Sequence, residues 1–175
     1  FGAFVKRYQF NINIESQPPY HWLRLSKGIS GAMGGIIGYS KMNTELARHL
    51  ETRSLGEAVP APGVVFDRHN VVEPDVVVLK SGNLRVIGGR VRTVPDVLIE
   101  VVSSQPERDR LLKRNLYASF RVPEYWIVDP ETRSIEVLIL KGSRYSPFGY
   151  FLARNTLTSP ALPGLRLRVA SIFRA

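Results

Sequence analysis

The chain has 175 residues, 44% of them hydrophobic and 22% charged, which suits one compact domain with its own core and is too apolar for disorder. It contains no cysteine, which excludes disulfides, thiolate zinc sites and a cysteine nucleophile and fits a reducing cytoplasm. No run approaches the roughly 18 apolar residues of a membrane span, and the formal charge of +9 favours polyanionic partners, nucleic acid above all, over a merely solubilising excess.

In chain order, residues 1–27 read as a strand or two with loops. Gly28 to Gly38 is a small-residue lead-in to a helix; no Gly-Lys-Ser/Thr follows, so it is not a phosphate-binding loop. The spacing of Met42, Leu46 and Leu50 predicts a helix from about Tyr39 to Thr52, with Gly56 as its terminator. Val64 to Phe66 and Val71-Val72 flank the polar tetrad Asp67-Arg68-His69-Asn70, which predicts a hairpin. Asp75 to Leu79 is a short apolar strand opened by Pro74; Ser81-Gly82-Asn83 and Gly88-Gly89 mark turns, with Arg85 to Val94 as a connecting excursion. Val97 to Val102 is the expected central strand. Ser104-Gln105-Pro106-Glu107 is a capping-box pattern that starts a second helix ending near Arg121. Tyr125 to Val128 is a further buried strand, Ser134 to Leu140 and Tyr145 to Leu152 form an antiparallel pair, and residues 162–173 supply a short strand and helix. The strand–helix–strand unit implies a parallel pair and the earlier hairpin an antiparallel one. The expected fold is therefore α/β, a mixed central sheet flanked by helices, with residues 1–175 as a single domain.

Glu100 is the most telling residue. It interrupts the run Val97-Leu98-Ile99-Glu100-Val101-Val102, which reads as a strand covered on both faces. Uncompensated, an ionised carboxylate there costs on the order of several kcal/mol. It needs a cation, a donor set or a metal ion; a structural ion pair or a protonated glutamate is the plainer alternative. On a helical wheel, Leu112, Leu116, Tyr117 and Phe120 form one apolar arc, and Lys113 and Asp109 fall inside it. An inward lysine directly after the Glu100 strand can be aimed at Glu100, unless it only pairs with Asp109 and snorkels to water. Tyr117 and Trp126 are read as core. Asp75 opens the neighbouring strand; a plain strand-start aspartate is its alternative role. Asp96 lies four strand residues from Glu100, about 13 Å, too far to share an ion. Two converging carboxylates repel, and a divalent cation such as Mg²⁺ or Mn²⁺ removes that penalty. From Lys80 to Arg121 nine basic residues face four acidic ones, +5 of the total +9. Arg90, Arg92, Arg108, Arg110 and Arg114 are the expected contacts to a polyanion. The three histidines do not cluster, and Glu45 on the first helix reads as solvated rather than as an extra acid.

The stretch V-E-P-D-V-V-V-L, V-P-D-V-L-I-E-V-V-S-S, R-D-R-L-L-K-R-N-L-Y-A and V-P-E-Y-W-I-V-D-P-E-T-R resembles the Uma family of restriction-endonuclease-like proteins, within the PD-(D/E)XK nuclease-like superfamily. The resemblance covers residues 64–140 and, more weakly, the tail. It implies a restriction-endonuclease-like fold and metal-dependent hydrolysis of phosphodiester bonds of nucleic acid, DNA before RNA with both left open, by a homo-oligomer, a dimer first. Asp75 matches the family's Pro-Asp aspartate, Glu100 its strand glutamate and Lys113 the lysine of its D-x-x-x-K-x-x-x-Y helix. Asp75 and Glu100 are then the metal ligands, with a carbonyl near Val101 as a third, and Asp75, Glu100 and Lys113 the catalytic set. The superfamily's usual lysine lies two residues after the glutamate, where this chain has Val102, so its role is implied to have moved to Lys113. The rival expectations are a non-catalytic nucleic-acid-binding or assembly module with a decayed site, and a structural homo-oligomer in which Glu100 is merely ion-paired.

Overall fold

A computed structural model describes residues 33–102 and 107–174. The expected strands of residues 1–27, the start of the glycine-rich lead-in and the Ser104-Gln105-Pro106 cap lie outside the described residues. The first helix, α1 (Met33–Glu51), buries Met42, Leu46 and Leu50 completely, as their fourfold spacing requires. Full burial of such side chains contributes about 1.5–3 kcal/mol each. The helix starts six residues earlier than the periodicity alone implies, running through Gly34, Gly35 and Gly38. Intrinsic propensity disfavours glycine there, but propensity is a weak force beside tertiary packing.

Gly56 is not the helix terminator expected from the sequence. The chain leaves α1 through Ser54 in the left-handed region (φ 53°), with the Leu55 N–H on the Leu50 carbonyl at 2.9 Å. Gly56 instead opens a strand the sequence reading did not anticipate, β1 (Gly56–Pro60). There its φ is +148°, and a Cβ atom would lie 2.0 Å from the Leu79 carbonyl oxygen. Only glycine allows this approach of two backbones.

The following elements are β2 (Gly63–Val65), β3 (Val71–Val72), β4 (Val76–Lys80), a 3₁₀ turn at Ser81–Asn83, β5 (Val86–Ile87) and β6 (Arg90–Val91). Then come β7 (Val97–Val101), α2 (Glu107–Ser119), β8 (Glu124–Asp129), β9 (Ser134–Lys141), β10 (Arg144–Leu152), β11 (Thr156–Leu157), β12 (Leu167–Arg168) and α3 (Val169–Ile172). Among the described residues six strands form the main sheet, in the order β1-β4-β7-β8-β9-β10. Only β7–β8 is parallel, joined by the α2 crossover; the other pairs are antiparallel. The expected β2–β3 hairpin is present, and the Asp67 carboxylate ties its turn to the N–H groups of His69 and Asn70 at 2.7 and 2.8 Å. The supposed excursion between β4 and β7 is itself a hairpin, β5–β6, in a second sheet of order β3-β2-β6-β5.

Each face of the main sheet has its own core. Val76, Val78, Val97, Ile99, Trp126 and Val128 pack beneath α1 and α3. Val77, Leu79, Leu98, Tyr125 and Leu138 pack beneath α2 and the small sheet. This is the period-two alternation of strands. It determines the site, because Glu100 shares the α2 face with Leu98, and Asp75 shares it with Val77. On α2, Tyr117 and Ala118 are buried, and just beyond its end Phe120 stacks on Phe66 at a centroid separation of 4.5 Å. Leu112, expected inside the apolar arc, is 39% exposed; it sits at the margin of that arc.

Gly56→Ala should destabilise the fold by more than about 1 kcal/mol, since neither the dihedral nor the backbone contact tolerates a methyl group. A thermal melt followed by circular dichroism should show Tm lowered by at least ~2–4 °C; an unchanged melt would contradict the contact.

Candidate active site

The antiparallel register of β4 and β7 pairs Val76 with Ile99, and one step further sets Asp75 beside Glu100. Asp75 is fixed at both ends. Its Oδ2 accepts a hydrogen bond from the Val101 N–H at 2.7 Å, and its own carbonyl accepts one from the Ala61 N–H at 2.6 Å. Glu100, 6% exposed, receives two side chains from α2. Lys113 Nζ donates to Oε2 at 3.1 Å and Tyr117 OH donates to Oε1 at 2.6 Å. Lys113 and Tyr117 are four residues apart, which places both on one helical face. Asp75, Glu100 and Lys113, which the sequence brings forward as a set, therefore stand together in space.

Electrostatics couples the set. Burial pushes the Asp75 carboxyl above its ordinary value, against the pull of the Val101 N–H and the Lys113 ammonium. Burial pushes Glu100 up as well; Lys113 and the Tyr117 hydroxyl oppose the rise and the Asp75 charge adds to it. The Tyr117 phenol is held well above the ordinary tyrosine range by burial and then by the adjacent Glu100 charge. Each carboxylate thus resists ionisation for want of positive charge, and Lys113, whose side chain is 29% exposed, supplies part of it.

Asp96 behaves as the strand geometry requires. At the opposite end of the sheet it accepts from the Lys80 N–H at 2.9 Å and the Asn83 amide at 3.0 Å. Glu45 is ion-paired with Arg48 on α1 and does not join the site. Of the expected basic contacts, Arg92 is exposed and Arg90, Arg110 and Arg114 are half-buried. Arg114 donates to the Tyr145 carbonyl at 3.1 Å, so part of its fork is committed to the fold. The side chains of Arg108 and Asp109 lie outside the described residues. Sequence reasoning placed the Tyr117 ring correctly in the core but missed its hydroxyl as a partner of Glu100. The signal was the K-x-x-x-Y spacing.

Among the described residues there is no group of three or more His, Cys, Asp or Glu side chains that could hold a metal ion. Two hard, desolvated carboxylates short of positive charge do fit Mg²⁺, which takes one or two protein carboxylates and completes its shell with water and substrate oxygens.

An acid whose value is raised by folding favours the folded state where it is protonated, and that contribution disappears as pH climbs through the raised value. Glu100→Gln is neutral throughout and keeps an acceptor for Tyr117. Urea melts from pH 4 to 7 should show wild type losing stability relative to this variant as pH rises above the ordinary glutamate value of 4.5; the opposite slope would exclude a Glu100 dominated by desolvation. Tyr117→Phe should cost about 1.5–3 kcal/mol, as expected for a donor to a charged acceptor.

Residues 39–170 match the family model described as "Putative restriction endonuclease", Uma2. Among solved structures, the chain is similar to a protein from Anabaena variabilis ATCC 29413 described as "a putative nuclease belonging to DUF820". The two share 15% sequence identity, the match covers 81% of each chain, and the TM-score is 0.66, so this likeness speaks for the fold. No curated protein matches the chain. The mixed sheet flanked by helices is thus a nuclease-like fold, and with the family model spanning most of its length the chain belongs to the Uma2 family.

Proposed function

We propose that the protein is an endonuclease that hydrolyses phosphodiester bonds of DNA with a divalent metal ion, Mg²⁺ or Mn²⁺. The observation that carries this reading is the meeting of Asp75 and Glu100 on one face of the sheet, both short of positive charge, beneath the Lys113 ammonium. Asp75 and Glu100 would hold the ion, with a backbone carbonyl near Val101 as a third ligand. When bound, such an ion lowers the pKa of an attacking water and polarises a phosphoryl oxygen.

The chain's own groups do the rest. The Val101 N–H fixes the Asp75 carboxylate and leaves Oδ1 for a ligand. The buried Tyr117 hydroxyl fixes the other oxygen of the Glu100 carboxylate. Lys113, the most exposed of the three, orients the nucleophile and stabilises charge developing on the phosphoryl oxygens. Both carboxylates must be ionised to act as ligands, so their raised values imply activity that increases with pH beyond the ordinary carboxylate range. A dimer, with one copy per strand, accounts for cutting a duplex. Among the described residues no helix is long and apolar enough to cross a membrane. The cysteine-free composition is what supports our reading of a cytoplasmic setting, and we propose a single domain over residues 1–175.

One observation favours a second reading. Both Glu100 oxygens already have protein donors, so the pocket is electrostatically tolerable without a metal. A non-catalytic nucleic-acid-binding module would look the same at these atoms.

Titration calorimetry with Mn²⁺ separates the two. Wild type should bind the ion, Glu100→Ala should not, and equal heats would remove the metal role. On supercoiled plasmid with Mg²⁺, Lys113→Ala should lose about 10²–10³-fold in cleavage rate with Mn²⁺ binding retained, the range for removing one preorganised charge-stabilising group. A module without activity would bind plasmid equally with and without Mg²⁺ and ignore the Lys113 change.

A further inference from the structure

We infer that the β5–β6 ribbon is an arm that docks on double-stranded DNA beside the candidate active site. The inference takes the nature of its ligand from the nuclease reading and stands on separate residues. Val86 pairs with Val91 and Ile87 with Arg90 across a two-residue turn, Gly88-Gly89. Both glycines have positive φ, 57° and 73°, the twist that a tight hairpin requires. Val91 is fully buried in the α2-side core. By strand alternation, Arg85, Ile87, Arg90 and Arg92 then share the opposite, outer face. The Arg92 N–H donates to the Arg85 carbonyl at 3.0 Å, which sets those two arginines opposite one another.

The ribbon points towards the site. β6 runs parallel to β2, pairing Arg90 with Gly63, and β2 pairs antiparallel with β3 so that Glu73 falls at the same level. Glu73 is two residues from Asp75, and the N–H of Ala61, two residues before Gly63, bonds to the Asp75 carbonyl. The Gly88-Gly89 turn therefore lies beyond this row, at the carboxylate end of the main sheet. At its other end the stem is held firmly. Asn83 donates to the Val94 carbonyl at 2.7 Å and to Asp96, and accepts from the Thr93 hydroxyl at 2.5 Å.

This face is costly without a partner. Like charges directly opposite on a ribbon are destabilising, and among the described residues neither Arg85 nor Arg92 is in an ion pair. Ile87 at the tip is 62% exposed. A polyanion relieves the first cost and an apolar base edge or sugar the second. A two-stranded ribbon fits the DNA major groove, where phosphates flank and thymine methyl groups line the floor. A second copy of this chain would bring the same arginines into opposition, so charge argues against self-association along this face.

The test is binding of a ~20-bp DNA duplex, followed by fluorescence anisotropy in EDTA over a series of salt concentrations. Each lost phosphate contact reduces the slope of log K against log salt by about 0.9. The double variant R85Q/R92Q should flatten the slope by about 1.8, and R85K/R92K should restore it. Ile87→Ser should weaken binding roughly tenfold without changing the slope, as loss of a buried apolar contact does. Circular dichroism melts of R85K/R92K and Ile87→Ser should match wild type and that of R85Q/R92Q should be no lower, since it removes like charges; a lower melt in R85Q/R92Q leaves the comparison to R85K/R92K and Ile87→Ser. The proposal falls if slope and affinity are unchanged in all variants, if wild type does not bind the duplex, or if it prefers an RNA duplex. It also falls if Ile87→Ser splits a dimer in sedimentation while DNA affinity stays the same. Plasmid cleavage by wild type is read separately: binding that depends on the ribbon without cleavage overturns only the nuclease reading, and cleavage with unchanged variants overturns only the arm.

Discussion

Glu100 is removed from water on a strand packed on both sides, and much of the surrounding structure can be understood as the answer to that cost. A carboxylate so placed is penalised by several kcal/mol unless charge or donors reach it. Neighbouring strand positions cannot supply them, because alternation gives the α2 face of β7 only Leu98 and Glu100. The compensation has to come from an element lying over that face. The parallel pairing of β7 with β8 requires a crossover, and the crossover is α2. Lys113 and Tyr117, one helical turn apart, arrive from it on the two oxygens of one carboxyl group. Topology and electrostatics are therefore one requirement here: the helix that makes the parallel connection also carries the ammonium and the phenol.

The same logic sorts two superficially identical motifs. Pro74-Asp75-Val76 and Pro95-Asp96-Val97 each open a strand. Because β4 and β7 run antiparallel, the start of one lies beside the end of the other. Asp75 meets the carboxylate end of β7, where its charge adds to the cost of ionising Glu100. Asp96 meets the end of β4 and is consumed by backbone and amide donors around Lys80 and Asn83. One aspartate is left with an unsatisfied demand for positive charge; the other is satisfied by the fold. That difference separates a residue suited to chemistry from one suited to holding a hairpin stem.

How much of this could be read in the chain depended on the range of the signal. Strands buried on both faces announce themselves as apolar runs, so β4, β7, β8 and their order were legible, and a charge inside such a run marks itself. The inward lysine was legible from the helical wheel. What escaped were features set by contacts distant in sequence. β1 carries glycine, alanine, glutamate and proline, and is a strand only because β4 pairs with it. β5 and β6 are two residues each, too short for alternation to register. Gly56 follows a helix at the right spacing to be its terminator, yet its backbone is dictated by Leu79 on the neighbouring strand. Tyr117 has an aromatic ring and a hydroxyl; hydrophobic periodicity reports the ring and is silent on the oxygen.

The lysine's placement follows from what the carboxylate needs. The lysine usual in the wider superfamily lies two residues beyond the glutamate, on the same strand, and the resemblance noted from the sequence implies that its role has moved to Lys113. Here that position is Val102, buried, with its N–H committed to the Val128 carbonyl at 2.8 Å. A lysine there would share the Glu100 face by alternation; Lys113 reaches the same carboxylate from across that face instead. Coulomb attraction depends on separation and on solvent exclusion, not on which backbone delivers the charge. The constraint is thus that one cation stand over the two carboxylates on the α2 side of the sheet. Either route meets it, but only the helical one brings a tyrosine on the next turn to fix the other oxygen. A helix-borne ammonium also keeps part of its length in solvent, and it is on that side that a phosphate would have to approach.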